Sequence, residues 1–244
     1  LGVLWIELSW EKLQQLLEKN PLVILPVGSI EQHGPHLPVG VDLMQAEALA
    51  KAVAVRLNGL VAPSLAYGYS FNHMRFAGTV TVTGSVLEQL VIEVGSSLAQ
   101  HGVKKLLILN SHGGNGPALR MAVQVLNQKF PQCRFLYLFW LEFMAEELRA
   151  IQKQKFGTHA DEIETSMMLL LQPNLVEWSK CVDELPDKDP FYLRDLLAQG
   201  FLSIQEETVS GVLGEASYAS ADKGRTIFNL TVDKVCQLMT KVFS

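Results

Sequence analysis

Two unbroken apolar runs constrain this chain more than any other feature. Pro21-Leu-Val-Ile-Leu-Pro26 and Lys104-Lys-Leu-Leu-Ile-Leu-Asn110 are continuous rather than alternating, the pattern of parallel strands buried on both faces. Helical periodicity surrounds them. Leucines 13, 16 and 17 share one face of a short helix with Ser9 as its N-cap. Residues 46–57 are rich in alanine and valine and end at Asn58-Gly59. Residues 85–101 end at Gly102, and residues 118–128 form a further helix. Strands are expected at 60–65, at the β-branched 79–83 and at 134–140, with helices at 141–154 and 225–242. Strand-helix alternation of this kind predicts a layered α/β fold around a parallel sheet, and 244 residues suit one domain spanning 1–244. Residues 176–207, with Pro186, Pro190 and Phe191-Tyr192, fit no pattern.

Composition narrows the partners. A formal charge of −5, without any long Lys/Arg cluster, leaves no footprint for nucleic acid or an anionic membrane, so small molecules are expected. Cys133, Cys181 and Cys236 are odd in number and far apart, which suggests neither a disulfide framework nor a zinc ribbon. No basic region followed by a cleavable apolar segment stands near Leu1, and no run approaches a membrane span. A soluble, cytoplasmic protein is expected.

The chemistry concentrates where the first apolar run stops. Residues 25–45, LPVGSIEQHGPHLPVGVDLMQ, carry Glu31, His33, His36 and Asp42 just beyond a strand's carboxyl end, where open α/β sheets place their sites. In an extended Glu-x-His segment, side chains two apart point the same way, so Glu31 and His33 can converge on one ion. Asp42 opens a helix and is placed either to cap it or to bind metal. The second run repeats this logic, ending in Ser111-His112-Gly113-Gly114-Asn115 ahead of a helix near Pro117. Glycines there let backbone approach a ligand and expose amide donors at a helix start.

Two other segments bear on a pocket. Residues 66–79 hold Tyr67, Tyr69, Phe71, His73 and Arg75, an aromatic loop suited either to wall a ligand site or to pack on the body or another subunit. Gly157-Thr-His159-Ala-Asp161-Glu162-Ile-Glu164 loads a helix's first turn with acids, which favours the helix dipole. Glu164 nevertheless enters an apolar run, and a carboxylate entering a core needs a partner such as a metal.

Five motifs in order, LPVGSIEQHGPHLPVGVD, YGYSFNH with FAGT, NSHGGN, HADEIETS and GVLGEASYASADKG, resemble the creatininase family of metal-dependent amidohydrolases. That family includes creatinine amidohydrolase and a formamidopyrimidine deformylase. The resemblance implies a three-layer α/β/α sandwich with a mostly parallel central sheet, commonly assembled as a hexamer. It implies metal ligation by Glu31, His33, Asp42 and His112, with Asp42 bridging two divalent ions, Zn²⁺ first and Mn²⁺ or Fe²⁺ as alternatives. It implies proton transfer at His159.

The family pattern is broken at Gly114, where creatininase itself has a glutamate ligand. Glu164 is expected to replace it, as ligand and as part of the catalytic apparatus, with Glu162 as the weaker candidate. Thr158 and Lys155 stand where creatininase has a glutamate and near a substrate-covering tryptophan, which argues against creatinine as substrate. Tyr67, Tyr69, His73, Gly113, Gly114 and Asn115 are expected around a small amide, cyclic amide or formamide. His36 and Glu162 are expected behind the ligands, orienting them. The competing readings are a deformylase-like or modified-peptide-cleaving enzyme and a non-catalytic metal-binding homologue.

Overall fold

The structure, a computed structural model, describes residues 3–185, 197, 199 and 203–243. Its centre is a parallel sheet of strands β1 (Val3–Leu4), β2 (Leu22–Val27), β3 (Leu60–Val61), β4 (Lys105–Asn110) and β5 (Arg134–Phe139), in the order β1-β3-β2-β4-β5. The two apolar runs are its adjacent central strands β2 and β4. They pair from Leu22 with Lys105 through Val27 with Asn110, and every residue of β2 is buried. Because the strands are parallel and in step, both chains leave the sheet side by side. The Ser111 amide still bonds the Val27 carbonyl at 3.1 Å, which carries the pairing one residue beyond.

Alternate side chains of the strands point to opposite faces and seed two cores. On one face Ile24, Leu107 and Leu109 pack against helices α2 (Val41–Leu57), α7 (Glu162–Leu171) and α8 (Ala221–Phe243). On the other, Val23, Leu25, Leu106 and Ile108 meet α3 (Gly84–Gln100) and α4 (Gly116–Lys129). This is the expected α/β/α sandwich. Each fully buried Leu or Ile contributes about 1.5–3 kcal/mol, so the central strands are held from both sides. The Ser9 hydroxyl caps α1 (Trp10–Leu17) by accepting the Lys12 amide. No helix among the described residues is long and apolar enough to cross a membrane.

Three expectations change. The strand expected at 60–65 is cut to Leu60–Val61 with a single bridge from Leu65 to Val27, since Pro63 has no amide to give a ladder. The segment 79–83 forms one antiparallel bridge, Val80 to Ile30, rather than a strand. Its threonines bond backbone instead: Thr81 accepts the Ser70 amide and Thr83 caps α3 through the Val86 amide. The helix expected at 141–154 breaks into α5 (Trp140–Phe143) and α6 (Ala145–Ile151) at Met144, which is buried with Trp140 in the core.

Of the unassigned 176–207, the structure describes a 3-10 turn (Trp178–Lys180), β6 (Asp183–Glu184), paired antiparallel with β7 (Gly214–Glu215), and a helical turn, Ile204–Glu207. Pro186, Pro190, Phe191 and Tyr192 lie outside the described residues.

Candidate metal centre

The loops leaving β2 and β4 bring four expected ligand residues together. Glu31 and His33 follow β2, with the Glu31 amide bonded to the Val39 carbonyl. His112 follows β4, its amide accepted by Asn110 Oδ1 at 3.2 Å and its carbonyl bonded by Asn110 Nδ2 at 2.6 Å. Asp42 does not cap α2. The cap position is Gly40, which offers no side chain, so the Asp42 carboxylate inside the first turn is left for other partners. It turns Oδ1 to His33 Nε2 at 3.4 Å and Oδ2 to His112 Nδ1 at 3.3 Å. His112 Nδ1 also lies 3.2 Å from Glu31 Oε2.

Glu164 completes the cluster, its Oε2 3.8 Å from His33 Nε2. It is brought there by the start of α7. Asp161 caps that helix by accepting the amides of Ile163 at 2.9 Å and Glu164 at 3.1 Å. Ala160, in left-handed backbone (φ 51°), gives its amide to Glu164 Oε2 at 2.6 Å.

Glu162 departs from expectation. Its carboxylate accepts the amides of Lys153 and Gln154, the latter at 2.6 Å, and pairs with Lys223. It holds the preceding chain in place rather than orienting a ligand, because those amides and the ammonium use its oxygens.

Two imidazoles each give one nitrogen to a backbone carbonyl and turn the other inward. His33 Nδ1 bonds the Glu31 carbonyl at 3.1 Å, and His112 Nε2 bonds the Tyr69 carbonyl at 2.8 Å. Such carbonyl bonds fix a metal-binding histidine's orientation and tautomer. The inward atoms form three overlapping groups able to hold an ion: Glu31, Asp42 and His112; His33, Asp42 and Glu164; Glu31, His33 and His159.

A divalent cation fits this cradle. Glu31, His33 and Asp42 are each about 1% exposed, and Glu31 Oε2, His33 Nε2 and Asp42 Oδ2 have no hydrogen-bond partner among the described residues. Buried carboxylate oxygens without a well-formed hydrogen bond are costly, and coordination removes that cost.

Charge at the site follows from crowding. Burial opposes a charge on His33, yet Asp42, Glu164 and Glu31 together raise it to about 10. Burial likewise opposes His112, and Glu31 and Asp42 push it well above the usual imidazole range. Desolvation opposes a charge on Glu31, but His112, His73 and His159 outweigh it and hold this carboxyl well below the usual range. Burial and the neighbouring Asp161 and Asp42 charges push Glu164 up to about 8. The carboxylates thus demand positive charge, which two imidazolium protons or a divalent ion supply. A divalent ion held here would release those protons.

The remaining expected residues divide. His73 reaches the cluster within the same chain, with Nε2 3.5 Å from Glu31 Oε1, and its ring centroid lies 4.4 Å from that of His159. His159 Nδ1 is 3.7 Å from Glu31 Oε1. Burial, with His33 and His73 nearby, holds His159 well below the usual range and leaves it neutral. His36 is buried but bonds Thr165 on α7 at 2.9 Å, and burial beside His33 lowers it to about 4. Tyr67 is 53% exposed, and Tyr69 contributes its carbonyl to His112.

Asn115, expected on the substrate side, is committed to the scaffold. Its side chain bonds the Gly28 carbonyl, Asn110 and the Tyr69 amide. Gly114 cannot carry a side chain as packed: a Cβ there would lie 2.3 Å from the Tyr69 carbonyl oxygen and 2.5 Å from His112 Nε2. At Gly113 a Cβ would meet nothing closer than Phe139 at 3.8 Å.

Sequence reasoning missed Gln32, which lies between two expected ligand residues and turns its carboxamide to Gly34, Gly211 and His73. The signal for it was alternation: in an extended segment residue 32 faces opposite to 31 and 33. It also missed Tyr69 as the carbonyl that orients His112, which no side-chain pattern encodes.

A family model for creatinine amidohydrolase, named Creatininase, matches residues 6–239. The chain belongs to the creatininase family. It is 33% identical over 237 residues to a mycofactocin precursor peptide peptidase of Mycobacterium tuberculosis, covering 93% of this chain and 88% of that protein. It is 30% identical over 256 residues to a creatinine amidohydrolase of Pseudomonas putida, covering 97% and 96%. Two solved creatininase structures superimpose at 26% identity over 100% of this chain and 99% of theirs. A mutant creatininase of Zn–Zn type gives a TM-score of 0.87 and a manganese creatininase 0.86. The protein is therefore a creatininase-family amidohydrolase, a hydrolase of C–N bonds with the creatininase fold.

Proposed function

We propose that this amidohydrolase is binuclear and cleaves an amide, cyclic amide or formamide bond of a small molecule. The observation that carries the reading is the division of Asp42. Its two oxygens face different imidazoles, so one carboxylate belongs both to the Glu31–Asp42–His112 group and to the His33–Asp42–Glu164 group. Glu164 thus stands in for the glutamate that Gly114 cannot provide. A mixed carboxylate and imidazole set suits Zn²⁺, with Mn²⁺ or Fe²⁺ as alternatives, and the zinc and manganese forms of creatininase support the first two.

Ions held there supply Lewis acidity, polarising a substrate carbonyl and lowering the pKa of a water. The chain's own residues do the rest. Neutral His159 presents Nδ1, accepts there the proton that the attacking water gives up and delivers it to the nitrogen that leaves as the C–N bond breaks. Amides near Gly113 and Gly114 and the Tyr67, Tyr69 and His73 wall orient the scissile group. We include in this reading a homo-oligomer, a hexamer by family resemblance, located in the cytoplasm, with no nucleic-acid or membrane partner.

Elemental analysis of protein purified without chelator tests the reading, comparing the native chain with Glu164→Ala. About two ions per chain, falling toward one in the variant, is the expected result. One ion or none, unchanged in the variant and not raised by added Zn²⁺, Mn²⁺ or Fe²⁺, overturns it in favour of a non-catalytic metal-binding homologue.

The greater identity to the peptidase than to the creatinine amidohydrolase favours a second reading, cleavage of a short modified peptide. Thr158 and Lys155 in place of creatininase's substrate contacts also point away from creatinine. A panel of creatinine, cyclic amides, formamides and short peptides, followed by mass spectrometry, separates these readings from a deformylase-like activity.

A further inference from the structure

Gln32 is 6% exposed and held by backbone on two sides. Its Oε1 accepts the Gly34 amide at 2.8 Å, and its Nε2 donates to the Gly211 carbonyl at 3.1 Å. Those two backbone groups have fixed polarity, so they orient the carboxamide without ambiguity. Gly211 is built for this contact. It has φ +87°, and a Cβ there would lie 2.1 Å from Gln32 Oε1. The Gln32 backbone is pinned as well, its amide bonded to Thr79 Oγ1 at 3.1 Å.

Two histidines meet this fixed residue. His159 Nε2 lies 2.7 Å from the Gln32 backbone carbonyl and 3.0 Å from Gln32 Nε2, while His73 Nδ1 lies 3.0 Å from the same Nε2. A carbonyl only accepts, so a lone pair on His159 Nε2 at 2.7 Å would be repelled; that nitrogen carries the proton and donates. Gln32 Nε2 then has two hydrogens for its two remaining acceptors, the Gly211 carbonyl and His73 Nδ1. His73 must therefore carry its proton on Nε2, the atom 3.5 Å from Glu31 Oε1. His159 must turn a lone pair inward at Nδ1.

We propose that Gln32 is a positioning residue that sorts the two wall histidines into opposite roles, His73 as a hydrogen-bond donor at Nε2 and His159 as a proton acceptor at Nδ1. The proposal deepens the hydrolase reading and rests on it for its kinetic consequence, though not for the tautomers. A donor beside an acceptor is what amide hydrolysis needs at one wall: the first steadies charge developing on the substrate oxygen, the second moves the proton. Both rings carry the proton on Nε2 and differ in which nitrogen faces inward; two rings turned the same way would supply only one of these.

Long-range proton–nitrogen NMR on zinc-loaded, ¹⁵N-histidine-labelled protein tests the assignment before any substrate is known. His73 is expected to show an unprotonated Nδ1 and a protonated Nε2, and His159 a protonated Nε2. A protonated His73 Nδ1 in the native chain overturns the proposal, whatever the metal content.

Gln32→Glu keeps the shape and the oxygen on Gly34 but places an acceptor opposite His73 Nδ1, and opposite the Gly211 carbonyl as well. The expected result is that His73 moves its proton to Nδ1 while His159 does not change. With the best substrate of the amide panel, kcat is expected to fall about 10²-fold, with KM within about threefold, as for a lost donor to a developing oxyanion. Metal content is expected to stay at the native value. A His73 tautomer unmoved in Gln32→Glu, or moved with native kcat, overturns the positioning role. Loss of ions in the native protein with the stated tautomers intact overturns the binuclear reading alone.

Discussion

The loop between β2 and α2 and the segment opening α7 carry similar sets of acids and imidazoles and spend them differently. In the first, Glu31, His33 and Asp42 all turn into the cluster. In the second, Asp161 caps the helix and Glu162 binds the amides of Lys153 and Gln154, which leaves His159 and Glu164 for the site. The difference lies in who satisfies the backbone. A helix start presents unpaired amides that compete for any nearby carboxylate. At α2 the cap is a glycine and Asp42 sits inside the first turn, free for chemistry. At α7 the chain supplies acids for both purposes. Ligand-type residues in a sequence are therefore candidates only after the local amides have been served.

The sharpest way to break this comparison is Asp42→Ala. Because Asp42 stands in both ligand groups, we predict that metal content falls from about two ions to none; retention of even one ion at native affinity would sink the shared-ligand assignment. His159→Ala should keep the metal and lower turnover by about 10²–10⁴-fold. Parallel metal and rate measurements decide it, since metal loss would make His159 a ligand.

Glu162→Ala tests the structural use of an acid only two residues from Glu164. Removing a buried carboxylate that serves two amides and Lys223 should cost about 3 kcal/mol in urea denaturation and leave metal stoichiometry unchanged. A metal deficit without a stability loss would reverse the roles of the two glutamates. Smallest is the contrast between the paired glycines. Gly114→Ala should cost about 1–3 kcal/mol by forcing apart the Tyr69 carbonyl and His112. Gly113→Ala should stay within about 0.5 kcal/mol, and equal thermal shifts for the two would argue against this packing.

Much of the fold was legible because it follows from local pattern. The apolar runs of β2 and β4, the Ser9 cap and the Asn58-Gly59 and Gly102 helix ends each occupy a few adjacent residues. The threonines of 79–83 misled because β-branching suits strands and side-chain bonds to backbone alike. Glu31, His33 and His112 were legible as candidates because they stand just beyond two strand ends, whereas Asp42 stayed open between cap and ligand and only the family resemblance grouped the four. Asn115 and Glu162 were not legible, since their partners come from Gly28 and Tyr69 in one case and from Lys153, Gln154 and Lys223 in the other.

The sequence by itself determined a parallel α/β sandwich, the family, and the residue types able to hold divalent ions where the central strands end. Tertiary structure decided which acids face the cluster, why Gly114 must stay a glycine, and how Gln32 meets His73 and His159 across 41 and 127 residues. The physical reason is range. Strand burial and helix capping are settled among neighbours in the chain, whereas the direction of a hydrogen bond depends on which distant carbonyl or amide packing brings to its other end.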